Sequence, residues 1–375
     1  MDNPFYISSY KSPEFFCDRE NETKQLKLAL ANRRNIVLLS SRRMGKTGLI
    51  KHLFYNLKSD KDVYAFYFDI MNTNNVNDFV NLLANTILGT FNSKSKRLFD
   101  NVLKFLTKFS PTLSFDSITG DPSISLKNIS EEQSEVSIVE IFNYLEKQNK
   151  RIYIAIDEFQ QITNYKRTGF EAFLRSHIQH LNNINFIFSG SQQYILIDMF
   201  NSYSRPFYQS SDFLKLERIP QDKYSKFIVE KFRKTKKEID INDVYDLLDW
   251  LDTYTFYVQN YFNKLWYISG KKINKESIEK AKQYIIDEHN FIYSNLYNLL
   301  TVTQYDLLKA IALEVYVEQP TSKEFINKYN LGTTSTISSA IKILLNKELI
   351  YRENNVYKLH DVFLQKWFEK NYSMN

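Results

Sequence analysis

The sequence predicts an α/β fold, a five-stranded parallel sheet covered by helices, continued by an all-helical stretch and a small terminal unit of three helices and a hairpin. Three observations carry this. Apolar segments at 35–40, 63–70, 151–157, 184–189 and 212–216 have the length of buried strands. Helical periods lie between them: Leu49, Ile50, Leu53, Phe54 and Leu57 follow i, i+3, i+4 spacing, as do Phe79, Val80, Leu82, Leu83, Thr86 and Ile87. Strands alternating with helices specify a parallel sheet with both faces covered, because parallel neighbours need crossover connections. After about Glu217 the strand-like segments stop and helical spacing takes over.

The stretch 111–134 departs from this alternation. Ser114 to Ile118 and Ser123 to Leu126 flank Thr119-Gly120-Asp121-Pro122, a turn signal between two alternating runs, and read as a β-hairpin inserted before the third core strand. Past the sheet, a basic cluster of Lys231, Arg233, Lys234, Lys236 and Lys237 reads either as a solvated helix end or as a phosphate-binding patch, the former being the simpler. From Thr301 the sequence holds helices through Tyr305 to Leu313, Ser322 to Tyr329 and, after a turn at Gly332, Thr334 to Leu345, then a strand pair about Glu353-Asn354-Asn355. These are the parts of a winged helix. The expected division is 1–217 for the sheet domain, 218–300 for a helical domain and 301–375 for the winged helix.

At 375 residues the chain suits two to three domains at roughly 150 residues each, enough to bury a proper core. With 43% hydrophobic and 25% charged residues it has an ordinary globular composition, which excludes disorder over most of its length. Its abundant Tyr, Phe, Asn, Lys and Ile match an AT-rich genome and carry no functional weight without a motif around them. A net charge of +6 permits nucleic-acid contact without demanding it. The single Cys17 excludes an internal disulfide and a Cys-rich metal site, and fits a reducing compartment. The opening Met1-Asp2-Asn3-Pro4-Phe5 lacks the basic-then-apolar layout of a signal peptide, and no apolar run approaches the roughly 20 residues of a membrane span. A cytoplasmic protein without membrane insertion is expected.

The chemistry concentrates in Ser40-Ser41-Arg42-Arg43-Met44-Gly45-Lys46-Thr47, between an apolar strand and an amphipathic helix. A phosphate chain needs backbone N–H groups at a helix N-terminus, a Gly that lets the backbone approach, a Lys for the β and γ oxygens and a hydroxyl for Mg²⁺. Gly45, Lys46 and Thr47 supply the last three in order, with Arg42, Arg43, Met44 and Gly48 expected to line the same cradle. Ser40 stands where the general P-loop pattern has its first Gly. The second element, Arg151-Ile152-Tyr153-Ile154-Ala155-Ile156-Asp157-Glu158-Phe159-Gln160, is an apolar strand ending in paired acids, a Walker B pattern. Asp157 would join Thr47 in holding Mg²⁺, and Glu158 would polarise the attacking water; the plainer alternative is a strand end with solvated acids. The third, Phe186-Ile187-Phe188-Ser189-Gly190-Ser191-Gln192, puts Ser191 or Gln192 in reach of the γ-phosphate or the water, unless it is simply a capped turn into a helix. Arg205, in Ser204-Arg205-Pro206-Phe207-Tyr208, precedes the fifth strand and reads equally as a phosphate contact or a surface Arg.

With these residues the chain resembles the archaeal-type ATPases of the STAND and AAA-like P-loop group, over roughly residues 1–270. The resemblance includes Phe16-Cys17-Asp18-Arg19-Glu20 with Glu22, similar to a motif ending in Gly-Arg-Glu, with Asp18 in place of the Gly. It implies that Arg19 lies by the adenine. It further implies the strand order 5-1-4-3-2 for the five core segments numbered along the chain, a helical lid after the core and a terminal winged helix. The segment Thr253-Tyr254-Thr255-Phe256-Tyr257-Val258-Gln259 is similar to a lid turn in which relatives carry Gly or His with Pro. The implied function is a Mg²⁺-dependent ATPase acting as a nucleotide-driven switch that gates a protein partner through lid and winged helix. The alternative is an ATP-sensing DNA-binding regulator that uses the winged helix.

Overall fold

The computed structural model describes residues 2–8, 10–92, 96–106, 112–115, 122–126 and 130–372. They form two compact units, Ser9–Glu217 and a second made of Met1–Ser8 with Arg218–Asn375.

The first unit runs α1 (Glu20–Ala31), β1 (Ile36–Leu39), α2 (Lys46–Asn56), β2 (Val63–Asp69), α3 (Val76–Asn92), α4 (Lys96–Leu106), β3 (Thr112–Phe115), β4 (Pro122–Ser125), α5 (Glu131–Glu146), β5 (Arg151–Asp157), α6 (Phe170–Ile178), β6 (Ile184–Gly190), α7 (Gln193–Asn201) and β7 (Asp212–Lys215). The core sheet has the order β2-β5-β6-β1-β7, all neighbours parallel. Counted over the core strands alone this is 2-3-4-1-5, the neighbours of a 5-1-4-3-2 order read from the other edge; along the chain the numbers differ because the hairpin takes positions three and four. Successive strand residues face opposite sides. Val37 and Leu39 thus join the cluster of Phe66, Phe79, Ile138 and Phe186, while Ile36 and Leu38 are as deeply buried on the other side, where α1 packs on α2 and β1. That double burial explains why β1, β5 and β6 read as continuous apolar runs instead of alternating ones; β7, expected to be buried, is an edge strand whose residues are partly buried or exposed in alternation.

The inserted hairpin forms with different bounds from those expected. Thr112–Phe115 pairs antiparallel with Pro122–Ser125, earlier on its first strand than Ser114 to Ile118; the turn residues Thr119, Gly120 and Asp121 lie outside the described residues. Nor does the insert extend to residue 134. Ser130 caps α5 by accepting from the Gln133 N–H, and the Gln133 side chain returns a bond to the Ser130 N–H, so a capping box starts the helix there. Asn81 and Asn85 of α3 fix β4 by bonding Leu126 N at 2.7 Å and both Ile124 N and O at 2.8 Å.

The second unit contains α8 (Gln221–Lys234), α9 (Ile241–Trp250), α10 (Thr255–Ile268), α11 (Lys275–Ser294), α12 (Leu296–Leu299), α13 (Val302–Leu313), α14 (Lys323–Tyr329), α15 (Thr334–Asn346), β8 (Ile350–Glu353), β9 (Val356–Leu359) and α16 (Val362–Tyr372). Its N-terminal strap is held by Phe5, buried against Phe232 and Phe262, and by reciprocal bonds between Asn3 and Asn263 and between Asn263 and Phe5 O. Helices α13 to α15 and the β8–β9 hairpin give the three-helix-and-hairpin pattern expected of the last segment, with Val317 bridging Tyr357 of β9.

The basic cluster at the end of α8 is not wholly solvated, although Arg233, Lys234 and Lys236 are exposed. Lys231 is buried, and Lys237 donates to the carbonyls of Trp266 and Ser269 at the end of α10, where a cation meets the negative pole of the helix. Thr253, the first residue of the segment 253–259, and Asp252 before it both adopt φ 50, a left-handed backbone that is costly for a residue with a Cβ.

Candidate functional site

The carboxyl ends of parallel strands are where an open α/β sheet leaves a crevice. Here β1 ends at Leu39 and residues 40–45 lead into α2, β5 ends at Asp157, and β6 ends at Gly190. Gly45 precedes α2 with φ 92, a conformation that glycine takes without strain. Arg43 takes φ 68 in the same loop, and Glu158 takes φ 55 at the end of β5. Non-glycine residues held there are strained, and such strain collects at functional sites. Ser40 is not among the positive-φ residues; it is 1% exposed and its hydroxyl donates to Ser41 O at 2.7 Å. The first Gly of the general pattern is therefore dispensable here, because this entry into the loop does not use a left-handed residue.

Lys46, at the first turn of α2, reaches between the two acids, with Nζ 3.1 Å from Asp157 Oδ1 and 3.0 Å from Glu158 Oε1. Asp157 Oδ1 also accepts from Ser189 Oγ at 2.7 Å, and Oδ2 accepts from Thr47 Oγ1 at 2.7 Å and Tyr67 OH at 3.0 Å. Glu158 Oε2 accepts from Gln160 Nε2 at 2.6 Å, Ser191 Oγ at 2.9 Å and Ser191 N at 3.1 Å. Burial draws the Asp157 carboxyl up, but the Lys46 ammonium and the Ser189 and Thr47 hydroxyls outweigh it and hold it below the usual carboxylate range. Glu158 ends lower too: burial is overcome by Lys46, Gln160 and the Ser191 N–H. Asp69, opposite Asp157 in register, is shifted the other way, by lost hydration and by the charges of Asp157 and Glu158.

The structure thus brings together Lys46, Thr47, Asp157, Glu158 and Ser191. Gln192 precedes α7, and the next residue, Gln193, ties this turn to the 40–45 loop through Ser41 Oγ at 3.1 Å. Met44 is buried, Arg42 half-buried and Arg43 exposed. Gly48 lies against the Phe16 ring, where an added Cβ would make ordinary contact at 3.6 Å, so this glycine is not sterically required. Arg19 caps α1 with φ 75, its guanidinium buried and paired with Glu22 at 2.8 Å, and Asp18 has φ 56, the left-handed backbone for which the family motif carries Gly. Arg205 is not joined to the cluster: its guanidinium pairs with Glu171 at 3.1 Å and Asp198 at 3.4 Å.

Tyr67, Asp69, Gln160 and Gln193 were not singled out by the sequence. Tyr67 sits mid-strand, where an aromatic is ordinarily packing, and only the β2–β5 register places its hydroxyl on Asp157. A signal for Gln160 was present in its position two residues after Glu158, but spacing does not say which way a side chain turns.

Fold and site together define an α/β ATPase-like protein of the P-loop kind. Residues 16–253 match the model of a family described as an ATPase domain predominantly from Archaea, and the chain belongs to that family. Residues 291–370 match a probable winged helix domain. A stretch of 174 residues is 33% identical to an uncharacterised ATP-binding protein of Methanocaldococcus jannaschii, covering 42% of this chain and 46% of that protein, so less than half of the relative's length is spanned. Among solved structures, the chain is similar to a Walker-type ATPase of Pyrococcus abyssi, at TM-score 0.68 and 19% identity over 98% of this chain and 99% of that one. It is also similar to the Aeropyrum pernix ORC2 protein solved with ADPNP and ADP, at TM-score 0.57 and 14% identity over 99% and 98%. These structural likenesses speak to fold. Among the described residues no helix is long and apolar enough to cross a membrane.

Proposed function

We propose that this chain binds ATP with Mg²⁺ and hydrolyses it, using the nucleotide state as a switch. The observation that carries the reading is the buried constellation of Lys46 bridging Asp157 and Glu158, with the Thr47 hydroxyl on Asp157. Positive charge, hydroxyl and two acids converge at a helix N-terminus opened by Gly45, as a phosphate chain requires. The donors also fit Mg²⁺, a hard ion that takes one or two protein oxygens and completes its shell with phosphates and water. Thr47 Oγ1 and the Asp157 carboxylate would hold it, and among the described residues no three His, Cys, Asp or Glu side chains gather into an all-protein cage. When bound, Mg²⁺ supplies charge neutralisation at the phosphates.

In this reading Lys46 exchanges its carboxylate partners for phosphate oxygens, which frees Glu158 Oε1 to accept a proton from water. Ser191, on the same carboxylate, orients it. Arg19, Arg42, Arg43, Met44 and Gly48 line the nucleotide, and Gln192 faces the γ-phosphate. Arg205 acts only if it leaves Glu171 and Asp198. The helices from α8 to α11 serve as the lid, and α13 to α16 with the wing carry the output to a protein partner. Support comes from connectivity: the chain passes between the two units twice, near residues 8 and 217, and the second passage follows β7, the neighbour of the β1 strand that feeds the loop.

The test is phosphate release with and without Mg²⁺, beside Glu158→Gln. That variant should retain ATP while turnover falls by roughly a hundredfold or more; normal turnover by Glu158→Gln would remove the assigned base.

The second reading, an ATP-sensing regulator that binds DNA, draws on α15, whose Thr334, Ser335, Thr336, Ser338, Ser339 and Lys342 are exposed. The first half of that helix offers no Arg, Asn or Gln for bidentate base contacts, so a duplex would be held mainly through its phosphates.

A further inference from the structure

We infer that Gln160 is a positioning residue for Glu158 and that Gly190 is glycine in order to admit it. The inference rests on the hydrolytic reading of the site. Gln160 is 4% exposed, and its Nε2 gives Glu158 Oε2 the shortest of that oxygen's bonds, 2.6 Å. The other end of the same amide, Oε1, is buried without a hydrogen-bond partner. Burying an unsatisfied carbonyl is unfavourable. Turning the amide over to relieve it would bring two oxygens to 2.6 Å, so the bond to Glu158 dictates its orientation.

The slot that receives this amide is made by a missing side chain. A Cβ at Gly190 would fall 1.9 Å from Gln160 Oε1, 2.9 Å from its Cδ and 3.0 Å from Leu196 Cδ1. Gly190 ends β6 without a left-handed φ, so space, not backbone freedom, is what an added methyl would violate. Because the amide is buried, it can yield only by giving up its place beside Glu158. Ser191, the next residue, closes the other side of the same carboxylate through N and Oγ. Residues 190 and 191 thus fix Glu158 twice, once directly and once through Gln160. With Lys46 drawn to phosphate, these are the contacts that keep the carboxylate aimed at one spot, and a displacement near 1 Å at a reacting group costs on the order of a hundredfold in rate.

A double-mutant cycle tests this. Gln160→Ala and Gly190→Ala should each lower kcat on the order of tenfold to a hundredfold, with the Kd of a fluorescent ATP analogue within about threefold of wild type, a rounding of ordinary assay scatter well below one tenfold step. In Gln160→Ala the slot is vacant, so adding Gly190→Ala should cost little further, and the melting temperature lost by Gly190→Ala alone should largely return. Additive losses, or wild-type kcat in Gln160→Ala, would overturn the inference. A wild-type protein that binds ATP without turnover would sink the hydrolytic reading separately. The placement is then decided by a crystal structure of Gln160→Ala: a displaced Glu158 carboxylate upholds it, and one unmoved beside Ser191 overturns it.

Discussion

The crevice at the ends of β1, β5 and β6 and the exposed face of α15 are both rich in polar side chains, yet they differ in what those groups are bonded to. In the crevice Asp157 and Lys46 are almost wholly buried and each carboxylate oxygen of Asp157 and Glu158 has a donor. On α15 the hydroxyls lie in water and serve the helix: Thr333 caps it and bonds Ser335 and Thr336, and Ser339 returns to Ser335 O. Burying charge is unfavourable unless it is paired, so a buried charged cluster demands a reason, whereas exposed hydroxyls at a helix start are already explained by capping. The same residue types therefore point to chemistry in one place and to local structure in the other.

The sharpest way to break this contrast is Lys46→Ala. It should weaken ATP binding by at least about a hundredfold, since it removes the cation from a low-dielectric site. It should also lower stability at neutral pH by about 3 kcal/mol by leaving the buried Asp157 and the half-buried Glu158 without their cation. Isothermal titration and urea unfolding measure the two effects; a Lys46→Ala protein as stable as wild type would mean that the acids need no partner. Acid should act through the same pair. Asp157 and Glu158 are both held below their ordinary values, so their contribution is fully present above the unfolded pKa of about 4 and disappears as pH falls through the lower native values. The unfolding midpoint of wild type should fall on acidification below about pH 4, and less steeply in Glu158→Gln. Equal slopes would deny Glu158 its share.

How much of this was legible follows from the same physics. Strands buried on both faces announce themselves as apolar runs, so β1, β5 and β6 could be read directly, whereas β7 lies at the sheet edge with its residues partly buried or exposed and was not the buried strand expected; Gly45-Lys46-Thr47 with Asp157-Glu158 marked the crevice because their chemistry is local in sequence. What could not be read depends on register or on direction. Tyr67 meets Asp157 across 90 positions through parallel pairing. Lys231 and Lys237 look solvated in sequence but are turned inward by the packing of α8 and α10. Asp18 and Ser40 both stand where glycine was expected; Asp18 adopts the left-handed backbone nonetheless, and Ser40 needs none. A missing glycine is thus informative only once φ is known.

A smaller effect sharpens the buried side of the contrast. Tyr67→Phe removes one of two donors to Asp157 Oδ2 while keeping the ring that Lys51 covers at 5.2 Å. Thr47 remains on that oxygen, so the loss should be about 1 kcal/mol. It should appear as about a fivefold rise in the Mg²⁺ concentration that half-saturates turnover, with a fall in melting temperature of no more than about 4 °C. A shift in stability without one in Mg²⁺ dependence would make Tyr67 a packing residue.

The smallest expected effect lies on α15. If the helix contacts a duplex, Lys342 is its exposed cation, and Lys342→Ala should reduce the slope of log affinity against log salt by about one. Replacing Ser338 and Ser339 by Ala should weaken every duplex alike, since hydroxyls on phosphates position a protein without reading bases. Binding that changes with sequence more than with salt would overturn the contrast itself, because an exposed helix start lacking bidentate donors would then be reading base edges. No salt-dependent affinity near physiological ionic strength would leave α15 to protein contacts and set the DNA reading aside.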